Sequence, residues 1–542
     1  MRRTAALSVA LLAASCGSSL AQTTEPPVAS AAASTAAASL ASARASMATT
    51  SPAAATASMA TTSLASPAAS AAVAVVDGCF ADWDQAELRA DDARADGLGL
   101  DLVGVAFRSD SERVSFLIEL EPESNLQGGN RLRLVIDGDG DPDTGEEMDG
   151  LGAELVWTFG ERSGRGWIGA DMRSIEQHDV GLLQAPTVSS HVFEVSFARR
   201  SLDGGPILPG PEIAFALYGG SGGDADRLPD EGFLRAALSD APPAPAPEVS
   251  LERRRPDDVR VLTYNVLFDG LFKRPAAFIR ILRAINPDII CFQEIWSHTA
   301  RQAADQVSLA IPNVAWYGAH TTEGQIVSRY PFIEHGPIDE AGNYWALIDL
   351  PDNAYGVNMG LVSAHPPCCD KEKERQQQLD GIAAWLRDRK SDETSSLSSG
   401  TPLVVAGDMN LVGGSRQLRT LLAGEIVYTD EYGDPHAPDW DGTALADSDA
   451  RHAGGFVNYT WRDSRSSFAP GKLDYIVYSD SVLEIGNAFV LATEKLDGQT
   501  LERYGLRWDD TLEASDHLPV VADFRPLVAR GAAPESPEVA PD

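Results

Sequence analysis

PLVVAGDMN, residues 402–410, is an apolar run that ends in a polar group, Gly407-Asp408-Met409-Asn410. A short apolar run without polar alternation suits a strand covered on both faces, as in sheets packed between other layers. The neighbouring segments have the same form. VRVLTYNV (259–266) and DIICFQEI (288–295) precede it, and KLDYIVYSD (472–480) and HLPVVADF (517–524) follow it. Helical spacing lies between them: Pro275 to Asn286 carries Ile279, Ile281, Leu282 and Ile285, and Gln376 to Lys390 predicts a second helix before a Ser-rich loop. Strands alternating with helices indicate an α/β domain over 257–527, an α/β four-layer sandwich of two packed β-sheets flanked by helices.

Each strand ends in polar residues. Asn265 closes LTYN, and Glu294 follows the apolar run of CFQE, where a carboxylate needs a partner or a metal. His365 sits in SAHPP, Asp474 in KLDY, and Asp516 and His517 in ASDHLPV. Singly, each has an ordinary explanation: a turn former, a helix cap, a histidine satisfied at a proline turn. Together and in this order they carry more. An Asn in a YNV strand, Gln293-Glu294, a strand-end His, GDxN, an Asp before a Tyr-Ile strand and a closing Ser515-Asp516-His517 resemble the endonuclease/exonuclease/phosphatase superfamily, with its deoxyribonuclease I-like fold. SRYP (328–331) also looks like a strand of that family. GDxN alone would be a weak signal; the specificity lies in the joint set.

The resemblance implies metal-dependent hydrolysis of phosphate esters, which must neutralise charge, activate water and stabilise a leaving oxygen. Asn265 and Glu294, with Asp516 as a further candidate, offer hard oxygen ligands. These suit Mg²⁺, with Mn²⁺ or Ca²⁺ as alternatives. His517 accepts a proton from water and Asp474 fixes its tautomer. Asp408 orients the nucleophile, Asn410 donates to phosphoryl oxygens, and His365 is a phosphate ligand or general acid. Which histidine is base and which is acid stays open. The two imidazoles are expected within about 8 Å of one another across a cleft. Abasic-site endonucleases of the superfamily carry Tyr in place of His365 and Asp in place of Leu267. The pattern is therefore closer to the deoxyribonuclease I, sphingomyelinase and inositol-phosphatase branches. Nuclease and sphingomyelinase-like phospholipid phosphodiesterase are the alternatives within the enzyme class; an inactive enzyme-like domain on a surface-binding protein is the alternative outside it. The substrate is a nucleic acid, a phospholipid headgroup or a small ester, and a monomer is expected.

Upstream, residues 76–239 change to period two. Val114, Phe116, Ile118 and Leu120 alternate with polar neighbours, as do Leu132, Leu134 and Ile136, then Phe193, Val195 and Phe197, then Ile213, Phe215 and Leu217. Short alternating runs separated by Gly, Asp and Pro predict an N-terminal antiparallel β-sandwich, making the chain multidomain. DWD (82–84) and DADRLPDEGF (224–233) give it a loose resemblance to family 9 carbohydrate-binding modules, which implies a surface or carbohydrate ligand. In DGDGDPDTG (137–145) the spacing of Asp137, Asp139 and Asp141 suits a structural Ca²⁺ or an ordinary acidic turn. A Pro-rich linker, DAPPAPAPEVS at 240–250 and extending to 256, separates the domains and predicts two independently folding pieces, with all hydrolysis in 251–527.

The ends of the chain read as targeting and spacer sequence. Arg2 and Arg3 precede a short apolar stretch, Thr4 to Ala14, of about eleven residues, too short to span a bilayer, which takes about twenty. Residues 1–21 are expected to be a signal peptide cleaved before Gln22, or a lipoprotein signal ending before Cys16. Residues 22–75 are Ala, Ser, Thr and Pro, with ASMATTS at 45–51 and again at 57–63. They predict a flexible spacer, and 528–542 a disordered tail. The expected location is periplasmic, extracellular or lipid-anchored at the envelope. Export permits disulfides; Cys291 reads as a buried hydrophobe, and the adjacent Cys368 and Cys369 as either a vicinal disulfide or two thiols. A net charge of −36 argues against tight, sequence-independent binding of long polyanions.

Overall fold

The computed structural model describes residues 75–527, apart from 96–98, 169–170, 203, 221–224 and 321–322. The expected signal peptide with Cys16, the spacer up to residue 74 and the tail from 528 lie outside the described residues. The described residues 75–527 form one compact unit.

The alternating segments of the N-terminal half fold into two antiparallel sheets. The first runs Leu88–Asp91, Asp101–Ser109, Arg113–Ser124, Ser190–Ala198, Leu183–Ala185. The second is built around Glu212–Tyr218, Arg133–Asp137, Leu155–Thr158 and Ser163–Ile168. Period two places alternate side chains on one face, and both inner faces meet in a core that includes Phe107, Phe116, Phe193, Phe197 and Phe215. Asp137 and Asp139 group with Glu154, their oxygens within 4.8 Å of one another. Asp141 is exposed and accepts from the Asp143 amide (3.0 Å). The backbone amides of Gly138 and Gly140 close this turn onto Glu154 and Asp137.

The C-terminal half is the four-layer sandwich. Val259–Asn265 pairs in parallel with Ile289–Gln293 and antiparallel with Val520–Pro526 in a seven-stranded sheet. Met359–Ala364 pairs in parallel with Leu403–Asp408, which pairs antiparallel with Asp474–Tyr478, in a six-stranded sheet. Val261, Cys291, Leu361, Val404, Ile476 and Ala522 pack between the two sheets. Helices Pro275–Ile285 and Ala300–Ala310 cover the first sheet, and Glu372–Ser391 and Arg416–Ala423 the second. Asn286 ends its helix in the left-handed conformation (φ 51°), as its Asn identity favours. Cys291 is buried as expected, and Cys368 and Cys369 form the vicinal disulfide.

The two halves are joined by far more than the linker. Ala469 of the C-terminal half is buried in the sandwich core, and Val188 of the sandwich is buried in an apolar cluster of the C-terminal half. Hydrogen bonds surround these insertions. Asn125 Nδ2 donates to Val412 O (2.9 Å), Ala469 N to Gln127 Oε1 (2.9 Å), Lys472 N to Thr187 Oγ1 (2.9 Å) and Asn458 Nδ2 to Asp77 O (2.6 Å). This is a wider interface than a Pro-rich boundary leads one to expect.

Candidate active site

One parallel and one antiparallel register set the site. Asn265 lies opposite Gln293, with Glu294 next in the chain, and Asp408 lies directly opposite Asp474. The same ends of both central sheets thus carry the polar residues. At Gly407 the strands approach so closely that a Cβ would lie 1.9 Å from Ala364 O. Only glycine fits there, which accounts for the G of GDxN in physical terms. Just past the strand ends the backbone is strained. Leu267, Phe268, Asp269, Glu294 and Asn410 all have φ between 50° and 63°. Non-glycine residues in this region cost about 1 kcal/mol or more each and cluster at functional sites.

Asp408 is the centre of the arrangement. His365 Nε2 and His517 Nε2 stand 3.4 and 3.5 Å from Asp408 Oδ2, so the two nitrogens are no more than about 7 Å apart. Asn265 Nδ2 donates to the same Oδ2 (3.0 Å) and to Glu294 Oε1 (3.1 Å). The Phe268 amide donates to Glu294 Oε2 (2.9 Å). His517 Nδ1 donates to Asp474 Oδ2 (2.8 Å), which also accepts from Thr460 Oγ1 (2.6 Å). Asn410 donates its amide group to Pro366 O (3.0 Å), and its backbone N–H to Asp408 Oδ1 (3.0 Å). Asp516 Oδ2 accepts from Trp461 Nε1 (3.1 Å). His365, Asp408, Asn410, His517, Glu294 and Asp516 all line one cleft of about 880 Å³. Asn265 and Asp474 are buried beneath it.

Charge follows from this packing. Burial alone would push the His517 imidazolium toward neutrality, but Asp474 and Asp408 outweigh it and raise its pKa to about 10. His365 is likewise raised well above the ordinary range, because Asp408 and Glu323, whose Oε1 lies 3.0 Å from Nδ1, overcome burial. Against burial, the two imidazoliums hold Asp408 below the usual carboxylate range. Burial raises Asp474 to about 6, with His517 opposing it.

Residues 262–517 match the model of the Endonuclease/Exonuclease/phosphatase family. The C-terminal domain belongs to that family. No curated protein matches the chain. Among solved structures, the phosphatase-family domain is similar to the human Nocturnin catalytic domain (16% identity, TM-score 0.32, covering 50% of this chain and 95% of that one). It is also similar to the Bacteroides thetaiotaomicron mannosyl-6-phosphatase (16%, TM-score 0.32, 49% and 99%) and to truncated Caenorhabditis elegans TDP2 (16%, TM-score 0.33, 49% and 98%).

The donor set of this domain fits a hard divalent cation. Carboxylates of Glu294, Asp408 and Asp516 face the cleft, and Asp474 Oδ1 and Glu323 Oε2 are buried without a hydrogen-bond partner among the described residues. Asp408, Asp474 and His517 offer ligand atoms within 4.8 Å of one another. Asp474 and His517 are already bonded to each other, so this trio reads better as a proton-handling series than as a ligand set. Glu294, joined to Asp408 through Asn265 Nδ2, could instead hold a cation at the cleft. Sequence reading missed Glu323 and Thr460, each of which holds a catalytic candidate. Neither ends an apolar run nor belongs to the motif set, the two signals that found the others.

Proposed function

We propose that the chain is an exported phosphoesterase that hydrolyses phosphodiesters or phosphomonoesters with a divalent cation, Mg²⁺ by preference. The observation that carries the reading is the series Asp474–His517–Asp408–His365, in which one carboxylate lies between two imidazoles and a second fixes one of them. A carboxylate at Nδ1 fixes the His517 tautomer and stabilises its imidazolium; with the charge that holds Nε2 protonated offset by a cation bound beside Asp408, Nε2 could then take the proton of an attacking water. His365, held cationic by its two carboxylate neighbours, is suited to donate to a phosphoryl or leaving oxygen. Asn410 is placed to orient the ester. Glu294 and Asn265, with Asp408 and Asp516 at hand, would hold the cation, which supplies charge neutralisation at the phosphoryl group when bound. The leader and spacer sequence supports export, and fractionation of cells expressing the full chain, with and without Cys16→Ser, tests location and anchoring.

The activity test is release of nitrophenol from bis(p-nitrophenyl) phosphate and p-nitrophenyl phosphate by the full chain with Mg²⁺. Chelation should abolish it. His517→Ala should lower kcat by about 10²–10⁴-fold while changing KM little, because proton transfer belongs to the transition state. A rate indifferent to EDTA, or to His517→Ala, would refute the reading.

A further inference from the structure

The cleft is not built by the phosphatase-family domain alone. Asn125, Gln127, Gly128, Arg162 and Thr187 of the β-sandwich line it beside the histidines and carboxylates. A volume of about 880 Å³ matches pockets for small ligands, roughly 300–1,000 Å³. A face that grips nucleic-acid duplex is of another kind, burying about 1,000–2,500 Å² under a strongly positive surface.

Arg162 is the single Lys or Arg among the described residues lining this cleft, against the carboxylates of Glu294, Glu323, Asp370, Asp408 and Asp516. Its guanidinium is positioned but not neutralised. Nη1 donates to Gln127 O (2.6 Å) and Nε to Ser467 Oγ (3.3 Å), and the group lies 4.2 Å over the ring of Phe468, itself 41% exposed. No carboxylate among the described residues pairs with it, and Nη2 makes no hydrogen bond to them. An arginine that served only to tie the domains together would need no unpartnered nitrogen in the wall of the cleft. A guanidinium edge beside an exposed ring is, by contrast, a receptor for an anion attached to an apolar or planar group.

We infer that the β-sandwich is a specificity-determining wall of the active site, and that Arg162 binds a second anionic group of a small phosphate ester, remote from the scissile phosphorus. This rests on the phosphoesterase reading above. The sandwich also grips the segments that follow and precede the catalytic carboxylates. Asn125 holds Val412 O, and Gln127 Oε1 and Thr187 Oγ1 accept from Ala469 N and Lys472 N, so the wall and the catalytic floor are in fixed register.

The test compares two esters that differ by one anion: the p-nitrophenyl ester of thymidine 5′-phosphate, with and without a 3′-phosphate. With Mg²⁺ the full chain should favour the 3′-phosphorylated ester at least tenfold in kcat/KM. Arg162→Gln should cut that preference at least tenfold, and Arg162→Lys should keep part of it. No preference in the native chain, or an equal loss on both esters in Arg162→Gln, overturns the proposal and leaves Arg162 a structural tie. Binding in EDTA separates the two readings. Calorimetry should show thymidine 3′,5′-bisphosphate binding at least tenfold tighter than thymidine 5′-monophosphate, a difference lost in Arg162→Gln; equal affinities overturn the proposal. If that difference is present but neither ester is hydrolysed with Mg²⁺, the phosphoesterase reading falls while the anion site stands.

Discussion

Asp408 meets both imidazoles through one oxygen, and the consequences are electrostatic. With Asp474 acting on His517 and Glu323 on His365, its negative charge keeps two buried histidines cationic near neutrality in the metal-free protein. Their raised pKa values make the stability of the metal-free protein depend on pH. For His517 the folded value is about 10 and the unfolded value is near 6.5. The stabilisation is therefore complete below about pH 6.5 and drains away as pH rises toward about 10. The melting temperature of the full chain in EDTA should fall across that window. The double variant His517→Gln, Asp474→Asn removes the imidazole together with the buried carboxylate it neutralises, and should show a much smaller fall. A single replacement would not serve, because Asp474 left alone would titrate in the same window. Equal slopes in both proteins would refute the assignment. At this scale the sequence was most legible where a polar residue bounded an apolar run: Asn265, Glu294 and Asp408 close theirs, and Asp474 opens its own. It was silent on Glu323, which reaches His365 from a loop, and on Thr460, whose hydroxyl is fixed by a chain segment that only the fold brings beside Asp474.

Strands decide where those residues stand, and one glycine decides how closely the strands run. Met359–Ala364 and Leu403–Asp408 pair in parallel with Ala364 opposite Gly407, where an added Cβ would fall 1.9 Å from a backbone oxygen. That oxygen belongs to the strand leading into His365 and cannot swing aside like a side chain. Gly407→Ala should force the two strands apart and separate His365 from Asp408. A loss of stability of about 1–3 kcal/mol is expected from overpacking of this kind, measured as a lower urea midpoint. Activity should fall by more than the unfolded fraction explains, since the displaced strands carry both groups. An alanine variant with native midpoint and native rate would show that the strands have slack the structure does not suggest. An apolar run predicted Leu403–Asp408 and its burial but not Met359–Ala364, and helical spacing predicted two of the covering helices, Pro275–Ile285 and Glu372–Ser391, but not Ala300–Ala310 or Arg416–Ala423. The boundaries drifted where pattern is weakest: the helix expected over Gln376 to Lys390 begins at Glu372, in a polar first turn with no apolar face to announce it.

The whole molecule departs most from what composition suggests. A proline-rich stretch reads as a tether between free domains, because proline can neither continue a helix nor donate to a sheet. Nothing in local sequence reports that Val188 and Ala469 will exchange cores, since each is an ordinary apolar residue in its own neighbourhood. Among the described residues the interface is mostly hydrogen bonds involving backbone groups around these insertions, joined by one partly buried ion pair, Arg451 Nη2 to Asp77 Oδ2 at 2.9 Å. Contacts of that kind are little screened by salt. Proteolysis at a site engineered into 240–250 should therefore cut the covalent link without separating the halves. The nicked protein should elute from gel filtration as one particle at low and at high salt and retain most of its hydrolytic rate. Residues 251–527 produced alone should behave differently. Val412 O, Ala469 N and Lys472 N lose their partners, and the segments beside Asp408 and Asp474 lose their support. That fragment should melt lower than the full chain and hydrolyse bis(p-nitrophenyl) phosphate at least tenfold more slowly, with part of the rate restored by adding the separate sandwich. Halves that drift apart after nicking, with a catalytic piece as fast as the intact chain, would show that the sandwich is a passenger and not a wall of the site.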